Sequence, residues 1–314
     1  MRVYVLLLVS LLVFASGCDS INKFISGNKT TPTSQANTVV VNQTNQTIPE
    51  NNTISFIAPT DEVDVIYPNK GNLTLYVIDV NEGSAILAVT PDEKTILIDS
   101  STEGESVKII RFLKNIGYNQ LDVIIASSPK PEYLGGFPLL FQKLRPPKVI
   151  YSGYPVNNSL FTSYFGGERV NLATDSIIDV GDYVVVKILV PYDKNGFSDV
   201  IEENTLVTKI TFGSKSFTIF SSCNDDCQTN VDDGLSTTDV LFLANKGSCD
   251  DNSLYLLSSG QELAIMPEKL NVCTEVVNRL ESMDIPLKTL SSQGTMIITT
   301  DGNTIDYKHK KSTT

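Results

Sequence analysis

Histidine is almost missing from this chain: 314 residues contain one, His309. Zinc and iron centres of the hydrolytic kind draw three or more imidazole, thiolate or carboxylate ligands to one point. A centre built on histidines is therefore excluded. Basic residues are also short, 24 Lys and Arg against 36 Asp and Glu, for a net charge of −12. Their one cluster is KHKK at 308–311. Without a basic stripe the chain is a poor candidate for gripping phosphate backbones, and nucleic acid is disfavoured as a main partner. Long apolar runs are lacking too. The strongest, Val3 to about Ala15, falls short of the ~20 residues that span a bilayer as a helix.

What that run does resemble is a secretory signal, with Arg2 before it and small residues after it. Ala15-Ser16-Gly17-Cys18 is similar to the lipobox of secreted lipoproteins. The likeness implies cleavage after residue 17, lipid on Cys18 and a membrane-anchored protein at the cell surface or elsewhere outside the cytoplasm. An ordinary signal peptide, with Cys18 left as a free thiol, is the other reading. Residues 18–69 turn to Asn, Thr, Ser, Gln and Pro, too little apolar surface to offset ordering entropy. They read as a flexible stalk. Sequons stand at Asn28, Asn42, Asn45, Asn51, Asn72 and Asn157, either glycosylated or the chance product of an Asn/Thr-rich composition. Besides Cys18 there are Cys223, Cys227, Cys249 and Cys273. An even count outside the cytoplasm favours two disulfides with the pairing open, and the spacing matches no compact zinc pattern.

The remaining ~240 residues suffice for one large α/β domain. LTLYVIDV, SAILAVT, KTILIDS, LDVIIAS and PKVIYSG read as buried strands. GESVKIIRFLKNIG places Val107, Ile110, Phe112 and Leu113 at helical spacing before Gly117, and PEYLGGFPLLFQKL reads as a second helix. Further on, DYVVVKILVP, TLVTKITF, SFTIFS, DVLFLAN and ELAIM predict strands, with a polar cysteine-bearing loop between the third and fourth. A short helix is expected near DDNSLYLLSSG, and another over NVCTEVVNRLESMDI with Val272, Val276, Leu280 and Met283 on one side. TMIITTD and TIDYK close the domain, split by Asp301-Gly302, a strong hairpin signal. Two strand-rich halves, each carrying helices, predict a four-layer αββα sandwich over 70–308 followed by a basic tail, 309–314.

YVIDVNEGSAILAVTPDEKTILIDSS resembles the opening of the metallo-β-lactamase fold, specifically the branch found in ComEC-type competence proteins and their secreted relatives. Asp79, Val80, Gly83, Ala85, Ile86, Leu87 and Asp99 stand at the matching positions, and the likeness runs through ENTLVTKITFGSKSFTIFS and TDVLFLANKGS to the closing hairpin. That family's first metal motif is T-H-x-H-x-D-H-x-G-G. Laid against it, the stretch from Ser127 to Gly136 keeps the leading hydroxyl and both glycines. Ser128, Lys130 and Tyr133 stand where the family has histidines, and Glu132 where it has aspartate. Phe220-Ser221-Ser222 replaces the family's T-G-D, and Ala244-Asn245-Lys246-Gly247-Ser248 its A-H-H-G-S. An ammonium where a metal would sit repels it. The resemblance thus implies the fold without metal or other cofactor.

Two functions compete. In one, the chain is a pseudo-hydrolase, a binding or scaffold module for a small anion or an envelope protein. In the other, Lys130 and Lys246 build a non-metal hydrolase or anion site with Ser128, Glu132, Tyr133, Ser222 and Asn245 around them; Asp99 is structural in either. An accessory role in DNA uptake follows from the ComEC likeness alone, and the acidic balance opposes it.

Overall fold

The computed structural model describes residues 71–152, 154, 176–189, 197–231, 238–250, 260–290 and 294–310. The signal segment, Cys18, the stalk, Asn28, Asn42, Asn45, Asn51, Asn157 and the helix expected after Cys249 lie outside them. Asn72 is half-buried just ahead of the first strand. Among the described residues no helix is long and apolar enough to cross a membrane.

Strands β1 (Leu73–Val77), β2 (Ile86–Val89), β3 (Thr95–Ile98), β4 (Val123–Ala126), β5 (Lys148–Tyr151), β13 (Thr295–Thr300) and β14 (Ile305–Lys310) form one sheet. Its order is β14-β13-β1-β2-β3-β4-β5, parallel only across β3, β4 and β5. The second sheet holds β6 (Ser176–Ile178), β7 (Val185–Leu189), β8 (Val207–Phe212), β9 (Lys215–Ile219), β10 (Val240–Phe242), β11 (Leu263–Met266) and β12 (Leu287–Thr289). They run β12-β11-β10-β9-β8-β7-β6, parallel from β9 to β12. The near-continuous apolar runs of the sequence follow from this arrangement, because a strand covered on both faces has no side to leave polar. On β1, Leu73, Leu75 and Val77 point into the core between the sheets, where they meet Ile210, Phe217 and Phe242. Tyr76 and Ile78 point the other way, into a second core.

That second core is closed by α1 (Ser106–Asn115), α2 (Pro131–Leu134) and α3 (Phe137–Leu144). A third core lies on the far side of the second sheet, under α4 (Asp225–Asn230) and α5 (Thr274–Ser282). The layers are therefore helix, sheet, sheet, helix, as the two strand-rich halves predict. Each fully buried Leu, Ile, Val or Phe contributes roughly 1.5–3 kcal/mol by leaving water.

Several local expectations are corrected. Helix α1 buries Ile109, Ile110 and Leu113 and leaves Val107 51% exposed, so the inner face is rotated from the one expected. PEYLGGFPLLFQKL is two helices, not one. The Gly136 N–H donates to Ser101 O rather than continuing the helix, and Pro138 has no N–H to offer. The polar cysteine-bearing loop contains α4, whose N-cap Asn224 accepts from Cys227 N at 2.9 Å, a favourable cap. Strands β6 and β12, each of three residues, were not signalled because neither has an apolar run. His309 lies within β14 rather than in a tail beyond it. Among the three possible pairings, Cys223 stands at disulfide distance from Cys227 and Cys249 from Cys273, with Cα separations of 5.4 and 5.2 Å.

Candidate functional site

The C-terminal ends of β3, β4, β9, β10 and β11 meet at one edge of the sandwich, and the loops that leave them bring the predicted residues together. Asp99 follows β3, fully buried and in the left-handed region at φ 61°. Its Oδ1 accepts from Ser127 N at 2.9 Å and Ser127 Oγ at 2.7 Å. Its Oδ2 accepts from Ser221 Oγ at 2.8 Å. Ser127 follows β4 of the first sheet and Ser221 follows β9 of the second, so this one carboxylate ties the ends of the two sheets together. Donors on every side suit the anion, but burial opposes it and pushes the pKa up to about 7, against the lowering pull of Ser127 and Ser221.

A hydroxyl chain lies beside it. Ser222 Oγ donates to Ser128 Oγ at 2.6 Å, and Thr205 and Ser222 hydroxyls are 2.8 Å apart. All three residues are buried, and since the Ser222 proton goes to Ser128, Thr205 is the donor in the second bond. Leu206 N donates to Ser127 O at 2.7 Å, one more link between the sheets.

Toward solvent come the charges. Lys130 Nζ lies 2.6 Å from Glu202 Oε1 and Lys246 Nζ lies 3.2 Å from Glu132 Oε1. Beneath them the buried Tyr133 hydroxyl donates to Glu268 Oε1 at 2.9 Å. Burial raises the Glu268 pKa, with the Tyr133 bond and then Lys246 pulling the other way. Tyr133 is held well above the usual phenol range by burial and by the Glu268 charge. Burial works against ionised Glu202 as well, yet the Lys130 hydrogen bond keeps its pKa below the ordinary value. At the rim Lys269 Nζ reaches Asp79 Oδ1 at 2.5 Å.

Of the predicted residues, Asp99, Ser128, Lys130, Glu132, Tyr133, Ser222 and Lys246 all make contacts at this edge. Asn245 contributes backbone: its N–H donates to Ser221 O at 2.6 Å, and Asn245 and Lys246 both have positive φ. Sequence reasoning missed Glu268, Glu202, Thr205 and the Asp79–Lys269 pair. Glu268 was findable, because it stands just beyond a predicted strand at the same end as the others. His309 is remote: Met296, Val77, Ile86 and Ile98 step across the ladder from it to β3, about 19 Å at the usual strand spacing.

The half-exposed Lys246–Glu132 pair, with side chains 40% and 22% accessible, carries little stability. Lys246→Ala is expected to change unfolding free energy by less than about 1 kcal/mol, read from urea titrations. A loss of several times that amount would mean that the ammonium is structural.

The metallo-beta-lactamase superfamily domain model matches residues 88–164, from β2 to beyond β5. No match was found among curated proteins. Among solved structures, one from Parabacteroides distasonis, classed with metal-dependent hydrolases, is 13% identical, covers 72% of this chain and 96% of its own, and has a TM-score of 0.46. Zn(2+)-bound PqqB of Methylobacterium extorquens is 13% identical over 66% of this chain and 85% of its own, TM-score 0.46. A Cronobacter sakazakii metallo-beta-lactamase with an HARLDQ motif is 16% identical over 58% and 75%, TM-score 0.40. The two-sheet architecture is of the metallo-β-lactamase type.

Proposed function

We propose that this domain is a pseudo-hydrolase: a binding or scaffold head in which the strand-end edge has become a polar seam between the sheets. The observation that carries the reading is the pairing at that edge. Lys130 and Lys246 project ammonium groups into it, and Glu202 and Glu132 are engaged with them. Of the buried carboxylates there, Glu268 accepts from Tyr133, and Asp99 accepts from Ser127 and Ser221. This donor set does not fit a hydrolytic zinc or iron centre, which needs several unprotonated ligands converging on one point. Two cations stand in the way, and the acids nearby already have partners.

The finer parts of the reading rest on sequence. A lipid on Cys18 would anchor the head outside the cytoplasm, the Asn/Thr-rich stalk would hold it off the membrane, and the partner would be an envelope protein or a small anion. The ComEC-like branch is the family placement that goes with it. The lysine-based enzyme is the weaker alternative: an ammonium held by a carboxylate has no lone pair for attack or proton abstraction. Uptake of DNA is weaker again, since Glu132, Glu202 and Glu268 crowd the edge that would meet phosphates.

The deciding experiment is elemental mass spectrometry on the oxidised, untagged protein after incubation with zinc and manganese. The expected result is well below one ion per chain, with phosphodiester and lactam substrates left intact. One or two tightly held ions, or turnover that disappears in Lys130→Ala or Lys246→Ala, would overturn the reading.

A further inference from the structure

Beyond the seam, Cys249 Sγ, Cys273 Sγ and the Glu275 carboxylate lie within 4.8 Å of one another, Cys249 and Glu275 exposed and Cys273 half-buried. We propose that these three residues form a thiolate–carboxylate site for a borderline divalent cation, zinc above all, revealed when a dithiol reduces the Cys249–Cys273 pair. The site is independent of the pseudo-hydrolase reading.

Glu275 is the unusual member. Its Oε2 lies against both sulfurs, 2.8 Å from Cys273 Sγ. A disulfide has no S–H to donate, so a carboxylate set against its sulfur lone pairs gains nothing there. Against a cation held by two thiolates the same oxygen becomes a third ligand. Two sulfurs, one carboxylate oxygen and a water complete the tetrahedron that zinc adopts. The chemistry balances. The dithiol gives two electrons and two protons to the S–S bond and closes its own disulfide, and the ion then displaces both thiol protons.

One backbone link beside the pair does not depend on the S–S bond. Cys273 N donates to Gly247 O at 2.8 Å, which fixes the loop after β10 to the start of α5. Cys273 is also the N-cap of α5, where the unpaired N–H groups favour a thiolate. Cys223 and Cys227 are both fully buried, so a mild reductant reaches the Cys249–Cys273 pair first.

The test takes the untagged protein, reduces it with a phosphine that does not compete for metal, and counts free thiols. Cobalt(II) is then added and the thiolate-to-cobalt charge-transfer absorption recorded, followed by displacement with zinc. Two thiols, one ion per chain and a charge-transfer band are expected. The band should vanish in Cys249→Ser/Cys273→Ser, and Glu275→Gln should weaken cobalt binding at least about tenfold. A pair inert to the reductant in the folded protein, a reduced protein without the band, or unchanged affinity in Glu275→Gln would each overturn the site. Because the seam is assayed for metal in the oxidised protein, an ion found there does not bear on this one.

Discussion

Asp99→Asn is expected to abolish most of the loss of stability that the wild-type protein shows as the pH rises from about 4 to about 7. The reason is linkage. Burial raises the carboxyl from 3.8 to about 7 in the folded state, so between those values the native protein holds a proton that the unfolded chain has released. Stability from this group is then complete below the unfolded pKa and disappears as the pH climbs through the folded one. The full effect is on the order of a few kcal/mol. Glu268, also raised, adds a contribution of the same sign, while Glu202 and Glu105, both lowered, act oppositely at more acid pH. The clean readout is the difference between wild type and Asp99→Asn, taken from urea unfolding at intervals from pH 4 to 8. Asn tolerates the left-handed backbone that Asp99 occupies, and its amide keeps an acceptor for Ser127 N. Asp99→Ala leaves Ser127 N–H and the Ser127 and Ser221 hydroxyls without a shared acceptor. At about 1–3 kcal/mol for each buried group left unpaired, it is expected to lose roughly 3–9 kcal/mol at about pH 4. The deficit should shrink as the pH climbs toward about 7, because the alanine variant has no carboxyl to titrate. Parallel profiles for wild type and Asp99→Asn would remove Asp99 as the titrating group.

How much of this was legible follows from what each residue touches. The four layers could be read because strands such as ILAV and TILI are buried on both faces and have to be apolar throughout. The glycine pair was legible because its constraint is local packing. A Cβ on Gly136 would sit 2.3 Å from Ser100 O, and one on Gly135 would sit 2.8 Å from Glu103 N. The partners of the charges were not legible. Tyr133 and Glu268 are 135 residues apart, and Glu202 sits in a short 3-10 turn without any motif around it. Such pairs arise only when two sheets come together, and no period in the sequence records them. Val107 was misplaced for a related reason: helical spacing defines a stripe, but which edge of the stripe faces inward is decided by the strand residues beneath it.

The seam also has a backbone half, and Gly83 tests it. Gly83 sits between β1 and β2 at φ +70°, and a Cβ built on it would lie 1.8 Å from the carbonyl oxygen of Glu132. That oxygen belongs to α2, whose other contacts hold it in place: Ser100 N and Ser100 Oγ donate to Tyr133 O at 2.6 and 3.1 Å, and the Tyr133 hydroxyl donates to Glu268 Oε1 at 2.9 Å. A flexible side chain could swing clear, but a helix backbone fixed at both sides cannot. Gly83→Ala therefore meets two costs, about 1–2 kcal/mol for an L-residue in the left-handed region and about 1–3 kcal/mol for overpacking. The expected loss is roughly 2–5 kcal/mol, read as a lower urea midpoint. Since the clash pushes α2 outward, it should also weaken the Tyr133–Glu268 and Lys246–Glu132 contacts, which both depend on that helix. Gly71→Ala is the control. Gly71 has φ +91° but no atom within 4 Å of its would-be Cβ, so it carries the conformational cost without the clash. Equal losses in the two variants would mean that backbone conformation accounts for everything and that the approach to Glu132 is soft. A substantially larger loss at Gly83 would establish the close contact between the β1–β2 loop and α2 as part of what holds the seam.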